Sequence, residues 1–209
     1  MPLMSRDTGG PADEFAALLR ENSGKPTELA RFLDGLSHDE RLATVRSLGR
    51  AQQRSLWEAV DGFAPVRLSE LVPAQTPDLC QVRHYGKNTL PVFSEFEKRF
   101  CRPKDVDPEN PPELAGYNFQ TMSALTGPGY FVALPSPDRE EVLVDYRRLP
   151  EHHDPSWPGV QSNERGLSRF VYGFMVDTLR RVSQHVTIGS AARKGKDLGS
   201  WFALCQERS

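Results

Sequence analysis

The stretch ERGLSRFVYGFMVDTLRRVS, residues 164–183, carries the apolar pattern on which the interpretation of the whole chain depends. Its apolar residues keep a period close to the 3.6 residues of an α-helix over about four turns. They are Leu167, Phe170, Val171, Phe174, Met175, Leu179 and Val182. Alternate residues between Phe170 and Val176 are also aromatic or apolar, which fits a short strand. We expect this segment to form the main helix of the core, with Phe170, Phe174 and Leu179 buried.

The remainder of the C-terminal part favours β-strands. Short runs rich in β-branched and aromatic residues alternate with glycine and proline signals, which is typical of an antiparallel meander. Single strands are predicted at residues 79–85, 117–125, 130–134 and 141–147. Residues 185–188 and 201–205 predict a hairpin that encloses the basic sequence RKGK at 193–196. Residues 86–88 favour a turn, and residues 91–101 favour another helix that begins at a proline.

The N-terminal part favours short amphipathic helices. Residues 11–24 and 27–35 each carry an apolar stripe that ends at a glycine. Ser37 and Glu40 have the spacing of a capping box, which predicts the start of a third helix. A fourth stripe follows Gly49. Because short helices cannot bury such stripes alone, we expect them to pack on each other or on the rest of the chain.

These patterns predict an α+β protein. We expect an N-terminal helical part that packs on a curved antiparallel sheet wrapped around the long helix at residues 164–183. The predicted division is a disordered N-terminus at residues 1–10, a helical part at residues 11–72 and an α+β domain with a mainly antiparallel sheet at residues 73–209. A proline-rich link separates the last two segments.

Composition limits the partners and the compartment of the protein. The chain has 209 residues and a formal net charge of −2, which argues against a nucleic-acid partner held by bulk electrostatics. Its three cysteines lie far apart and form no C-x-x-C pair, which suits a reducing compartment. No apolar run reaches the ~20 residues of a membrane helix, and the first residues do not resemble a signal peptide. We therefore expect a cytoplasmic protein without a membrane partner.

Motifs for nucleotides and metals fail on spacing. The segment from Gly189 to Lys196 resembles a phosphate-binding loop, but five residues separate its glycines and Asp197 follows the lysine. His152 and His153 are adjacent, whereas helical metal ligands stand three or four residues apart. We expect neither a metal nor another cofactor.

Histidine is the side chain that titrates near neutrality without help from its surroundings. The candidates for a general base are therefore His84, His153 and His185. An enzyme of the hydrolase or isomerase type built on one of them is one hypothesis for the function.

The segment 149–166 suggests a different function. It has no apolar period, contains three prolines and is longer than most connections in compact domains. Trp157 could seal a cavity, tyrosine hydroxyls could orient a ligand, and arginines could grip a carboxylate. The predicted ligand-binding residues are Tyr117, Tyr130, Tyr146, Arg147, Arg148 and Trp157.

The first hypothesis is accordingly a small-molecule-binding protein. Its pocket would lie between the sheet and the long helix, the 149–166 loop would cover it, and its ligand would be a small organic molecule that is anionic or aromatic. A third hypothesis is an interaction module whose N-terminal helices present an apolar stripe to a protein partner.

Overall fold

The computed structural model describes residues 9–21, 25–89, 94–120, 128–160, 163 and 172–208 of the chain. Within these residues the backbone forms five helices followed by eight strands. The helices are α1 (Pro11–Glu21), α2 (Pro26–Gly35), α3 (His38–Ser47), α4 (Arg50–Ala59) and α5 (Leu68–Leu71). The strands are β1 (Val82–Asn88), β2 (Glu95–Cys101), β3 (Leu114–Phe119), β4 (Tyr130–Pro135), β5 (Val142–Asp145), β6 (Met175–Arg181), β7 (Val186–Arg193) and β8 (Lys196–Gln206).

The eight strands form a closed antiparallel barrel. Each strand pairs with the next one along the chain, and β1 also pairs with β8. Side chains alternate along each strand, so one set faces the interior of the barrel and the other faces outward. The predicted α+β fold, in which a curved sheet wraps a long helix, is therefore wrong, although the antiparallel pairing of neighbouring strands is confirmed.

The predicted central helix is replaced by a strand. Residues 175–181 form β6, which pairs with β5 and β7, so neighbouring strands satisfy its backbone polar groups. Leu179 is buried in the interior, as expected, but it reaches there with a period of two residues. Phe174 precedes the strand with φ +61° and is 37% exposed, so its predicted burial is wrong. Phe170 and the rest of residues 164–171 lie outside the described residues.

Strand β2 corrects the second predicted helix. Phe96 and Phe100 belong to the buried interior cluster, and Lys98 between them is buried as well. A lysine at an inward position hides the alternation that would otherwise predict a strand. The turn predicted at residues 86–88 is also wrong, because these residues continue β1. Residues 91–93 of the predicted helix lie outside the described residues.

Aromatic rings fill the barrel by lying over glycines of the neighbouring strand. Three inward phenylalanines each stand directly opposite a glycine, and a Cβ on that glycine would overlap the ring. The pairs are Gly86–Phe96, Gly116–Phe131 and Gly189–Phe202. A glycine within a strand marks a place where another group approaches closely, and here that group is the cross-strand ring.

Helices α1 to α4 cover the outer face of β7 and β8. Their apolar side chains form one cluster with Val186, Ile188 and Ala203 of those strands. The capping box at the start of α3 is confirmed, since Glu40 N donates to Ser37 Oγ and Ser37 N donates to a Glu40 carboxylate oxygen. The apolar stripe that a protein partner would need is thus used within the molecule. The large apolar side chains that are exposed among the described residues all lie outside these helices.

One end of the barrel is closed by α5. Leu68 and Leu71 join the interior cluster, and the carbonyls of Glu70 and Leu71 bond to inward side chains of β8 and β1. The ends of β1 and β8 that lie farther from α5 line a cavity, so this cavity is at the opposite end of the barrel.

Two further predictions concern the organisation of the chain. The division into domains at residues 11–72 and 73–209 stays a prediction, and residues 1–8 of the predicted disordered N-terminus lie outside the described residues. No helix in the described part of the chain has both the length and the apolar character to cross a membrane.

Candidate ligand-binding cavity in the barrel

The open end of the barrel contains a cavity of about 480 Å³. This volume lies within the ~300–1,000 Å³ that is usual for small-molecule pockets. Most of its wall surface is apolar, although eight of the sixteen described lining residues are polar or charged. The described residues that line it are Arg50, Asn88, Phe96, Lys98, Asn118, Gln120, Tyr146, Tyr172, Met175, Asp177, Ala191, Arg193, Leu198, Ser200, Trp201 and Phe202.

Four of these residues form a buried polar cluster: Lys98, Asn118, Tyr146 and Asp177. Lys98 Nζ lies 3.2 Å from Asn118 Oδ1 and 3.2 Å from Asp177 Oδ2, and it also bonds to Tyr146 Oη. Asn118 Nδ2 donates to Tyr146 Oη at 2.8 Å, and Tyr146 Oη donates to Asp177 Oδ2 at 3.2 Å. Lys98 is only 1% exposed. Alternation along β2, β3 and β6, together with Tyr146 just after β5, directs all four side chains inward.

The hydrogen bonds of the polar cluster account for every proton on Lys98 when its side chain is charged. An ammonium group has three donors, and three acceptors surround Nζ. The hydroxyl proton of Tyr146 then goes to Asp177 Oδ2. Asp177 Oδ1, in contrast, is buried without a hydrogen-bond partner among the described residues.

Aromatic rings surround the ammonium group of Lys98. Nζ lies 4.8 Å from the ring centroid of Phe202 and 4.9 Å from those of Phe131 and Tyr146. Such cation–π contacts stabilise a charge that has lost its water. They help the cluster to keep a charged lysine inside an otherwise apolar barrel.

Burial and attraction act in opposite directions on the ion pair. Burial lowers the pKa of Lys98 and raises the pKa of Asp177, while the attraction between the two groups opposes both shifts. Burial also raises the pKa of Tyr146 well above its usual value, so this phenol stays protonated and can donate. In the arrangement with a charged Lys98 and an ionised Asp177, Asp177 Oδ1 is the acceptor of the cluster that has no donor among the described residues.

Two arginines add positive charge to the lining. Arg50 donates to the carbonyl of Gly199 at 2.5 Å and lies 5.6 Å from the ring centroid of Trp201. The Nη2 atom of Arg193 lies 3.5 Å from the Sδ atom of Met175. With Lys98, these residues give three cationic side chains against the single carboxylate of Asp177 among the described lining residues. The field inside the cavity consequently disfavours a cationic ligand.

The structure separates the ligand-binding residues predicted from sequence. Tyr146 alone among them lines this cavity. Tyr117 and Tyr130 occupy outward positions of β3 and β4, where they form a different cluster with Cys101, Ala115 and the loop residue Trp157. The rings of Tyr117 and Trp157 are 4.8 Å apart, and Trp157 Nε1 donates to a glutamine side chain.

Arg147 and Arg148 are engaged by carboxylates. Arg147 donates to both oxygens of Asp145, at 2.8 and 2.7 Å, and Arg148 bonds to Glu113 at 3.0 Å. Neither arginine is among the described residues that line the cavity. Their predicted contact with an anionic ligand stays a prediction, and it would require these ion pairs to open.

None of the three candidate histidines is among the described residues that line the cavity. His84 is buried beside α5, where Nε2 lies 2.9 Å from the carbonyl of Leu71, and burial lowers its pKa to about 4. His153 stacks on Trp157, and burial lowers the pKa of His185. In the described part of the chain, no histidine bonds to a carboxylate that would orient it for catalysis. Their role as a general base stays a prediction.

Neither the metal-binding side chains of the described residues nor similarity to known proteins indicates a second candidate site. Within the described ranges, no three His, Cys, Asp or Glu side chains are grouped so as to hold a metal ion. No protein family, curated protein or solved structure matches this chain. The cavity and its polar cluster are therefore the evidence on function.

Sequence patterns did not identify Lys98, Asn118 or Asp177 as site residues. Each is a polar residue at an inward position of a strand whose neighbouring inward residues are apolar or glycine. Such an isolated polar residue is the signal that points to a buried site, but it can be seen only after the strand is assigned correctly.

Proposed function

We propose that the protein binds a small, mainly apolar molecule in the open end of the barrel. The ligand fills the cavity and places a polar group against the polar cluster. The observation that carries this proposal is the buried Lys98–Asp177 ion pair in the wall of a cavity of about 480 Å³.

Energetics support a functional role for the ion pair. Taking two charges out of water costs several kcal/mol for each ion, and well-packed apolar residues are often as stabilising as a buried pair. Most of the barrel interior is already apolar, so apolar side chains could complete it. A cluster of four polar side chains beside an open cavity is better explained by ligand recognition than by stability.

The dimensions and walls of the barrel support one small aromatic ligand. Eight strands enclose an interior just wide enough for side chains or for a single small molecule. Phe96, Tyr172 and Phe202 offer ring faces and edges for stacking, and Met175 adapts to irregular shapes. The cationic residues of the lining favour an anionic substituent over a cationic one.

The role of segment 149–166 as a cover belongs to the same proposal. Asn163 Nδ2 donates to the carbonyls of Tyr130 and Tyr146, at 2.6 and 2.8 Å, which places Asn163 next to the backbone of one residue of the polar cluster. None of residues 149–160 is among the described residues that line the cavity. Closure of the segment over a bound ligand stays a prediction.

A pair of variants on β7 tests the proposal. Ala191 stands opposite Asp177 and lines the cavity, whereas Ala192 stands opposite Val176 and faces the other side of the sheet. The probe is 1-anilinonaphthalene-8-sulfonate, an aromatic anion whose fluorescence rises in apolar surroundings. Ala191→Phe fills the cavity and should weaken binding of the probe by at least about tenfold, while Ala192→Phe should leave it unchanged.

Circular dichroism of both variants checks that the barrel is intact. Equal affinity of the probe for the wild type and for folded Ala191→Phe would place the probe outside the cavity and overturn the proposal. The proposal would also be overturned if the wild type bound neither this probe nor any of 4-hydroxybiphenyl, 4-methylbiphenyl and biphenyl-4-carboxylate.

A further inference from the structure

The two carboxylate oxygens of Asp177 differ in their hydrogen bonding. Oδ2 accepts hydrogen bonds from Lys98 and Tyr146. Oδ1 is buried and has no partner among the described residues. A buried carboxylate oxygen without a donor is costly, so a site that keeps one is suited to a donor that arrives with a ligand.

The cross-strand neighbour of Asp177 leaves room for such a donor. Ala191 stands directly opposite Asp177 in the β6–β7 pairing, and both residues line the cavity. The small side chain of Ala191 occupies little of the cavity, whereas a larger side chain at this position would fill part of it.

The charges around Asp177 select a neutral donor. Lys98 already neutralises the carboxylate at 3.2 Å, and Arg50 and Arg193 line the same cavity, so an ammonium group would meet three cations. A carboxylate ligand carries no donor at neutral pH and would face Asp177 with a like charge.

A hydroxyl group can both donate and accept. Trp201 lines the cavity too, and its indole N–H is buried without an acceptor among the described residues. A hydroxyl therefore matches the unused acceptor of Asp177 and keeps a lone pair for a donor elsewhere in the cavity.

We infer that the ligand is an aromatic alcohol or phenol whose neutral hydroxyl donates to Oδ1 of Asp177. This inference rests on the proposed function, because it names the polar group that the ligand brings to the polar cluster.

Three probes of similar size test the inference on the wild-type protein. They are 4-hydroxybiphenyl, 4-methylbiphenyl and biphenyl-4-carboxylate, compared by isothermal titration calorimetry at neutral pH. The hydroxyl and methyl compounds have nearly the same shape, so their difference reports the hydrogen bond. We expect 4-hydroxybiphenyl to bind at least about tenfold more tightly than either of the others.

The outcomes separate this inference from the proposed function. Equal affinity for the hydroxyl and methyl compounds would overturn the inference while the cavity remained a binding site. Tighter binding of biphenyl-4-carboxylate would also overturn it and would indicate an anionic ligand held by the arginines. If none of the three probes bound and 1-anilinonaphthalene-8-sulfonate did not bind either, both proposals would fail.

A variant locates the hydrogen bond. In Asp177→Asn, the preference for the hydroxyl over the methyl compound should fall to about threefold or less, because a neutral amide oxygen is a weaker acceptor. Asp138→Asn, on the exposed connection between β4 and β5, is the matched control and should keep the full preference. If Asp177→Asn folds and keeps the wild-type preference, the hydroxyl bonds elsewhere and the inference is wrong.

Discussion

Lys98 on β2 and Asp177 on β6 form an ion pair inside the barrel, with Nζ 3.2 Å from Oδ2, although they are 79 positions apart in sequence. Three strands lie between β2 and β6 around the barrel in one direction. The pair therefore depends on the curvature of the closed barrel, which brings distant strands close together across its interior.

Removal of Lys98 should destabilise the protein strongly. Lys98→Met leaves the carboxylate of Asp177 buried without a counter-ion, a change that typically costs ~3–5 kcal/mol. Urea denaturation of the wild type and the variant measures this difference in the free energy of unfolding.

A double variant distinguishes the loss of the ion pair from the cost of burying an unpaired carboxylate. Lys98→Met with Asp177→Leu removes both charges, and we expect it to recover more than half of the loss of the single variant. A loss below about 1 kcal/mol for Lys98→Met would show that Asp177 remains hydrated, contrary to its burial in the structure.

Acidification should destabilise the fold through His84. Burial lowers the pKa of this side chain from 6.5 to about 4 in the folded protein, so the unfolded chain binds the proton more tightly. Stability is therefore lost as the pH falls from 6.5 to 4, by about 3 kcal/mol in total. Denaturation curves at several pH values in this window measure the slope.

His84→Gln is the control for that slope, because the amide of glutamine can still donate to the carbonyl of Leu71 but does not titrate. Burial also lowers the pKa of His185, which contributes in the same direction in both proteins. The difference between the slopes of the wild type and of His84→Gln gives the contribution of His84 to the pH dependence of stability. Identical slopes would mean that His84 is accessible to protons in the native state.

Local sequence signals found those elements that depend on neighbouring residues. The capping box at Ser37 and the final hairpin are decided within a few residues, and both are confirmed. Strands β2 and β6 were predicted as helices because Lys98 and Asp177 place charges where an inward apolar residue was required. The pairing of β1 with β8 joins the two ends of the strand-rich part, and no local pattern specifies it.

The residues of the candidate site could also be predicted only in part from local sequence patterns. Tyr146 could be found as an aromatic residue at the end of a strand, and it does line the cavity. Tyr117 and Tyr130 have the same chemistry but occupy outward positions. A shift of one residue along a strand exchanges the two faces, so composition alone could not tell the interior tyrosine from the exterior ones.

Substitution of Gly189 should disturb the packing of the barrel. A Cβ at this position overlaps the ring of Phe202, which stands directly opposite and lines the cavity. We expect Gly189→Ala to lower the free energy of unfolding by ~1–3 kcal/mol, the usual cost of overpacking. Gly35→Ala, where no atom lies within 4 Å of the new methyl group, is the control and should cause no loss.

Replacing Phe202 by Leu in the Gly189→Ala background should recover part of the stability, because the smaller side chain removes the overlap. If the two substitutions are simply additive in thermal or urea denaturation, the ring does not depend on the missing Cβ and this account of the packing is wrong.

The last prediction tests whether segment 149–166 covers the cavity or only the outside of the barrel. Trp157 is 6% exposed and packs edge-to-face on Tyr117, an outward residue of β3, with the ring centroids 4.8 Å apart. Trp157→Ala should therefore cost ~3–5 kcal/mol of stability, the range for a buried aromatic side chain. Affinity for 4-hydroxybiphenyl should stay within about twofold of the wild type, because residues 149–160 are not among the described residues of the lining. Urea denaturation and calorimetry, with Ala191→Phe as the variant that does block the cavity, measure the two quantities separately. A segment that closes over the ligand predicts the opposite pattern, in which Trp157→Ala weakens binding by tenfold or more.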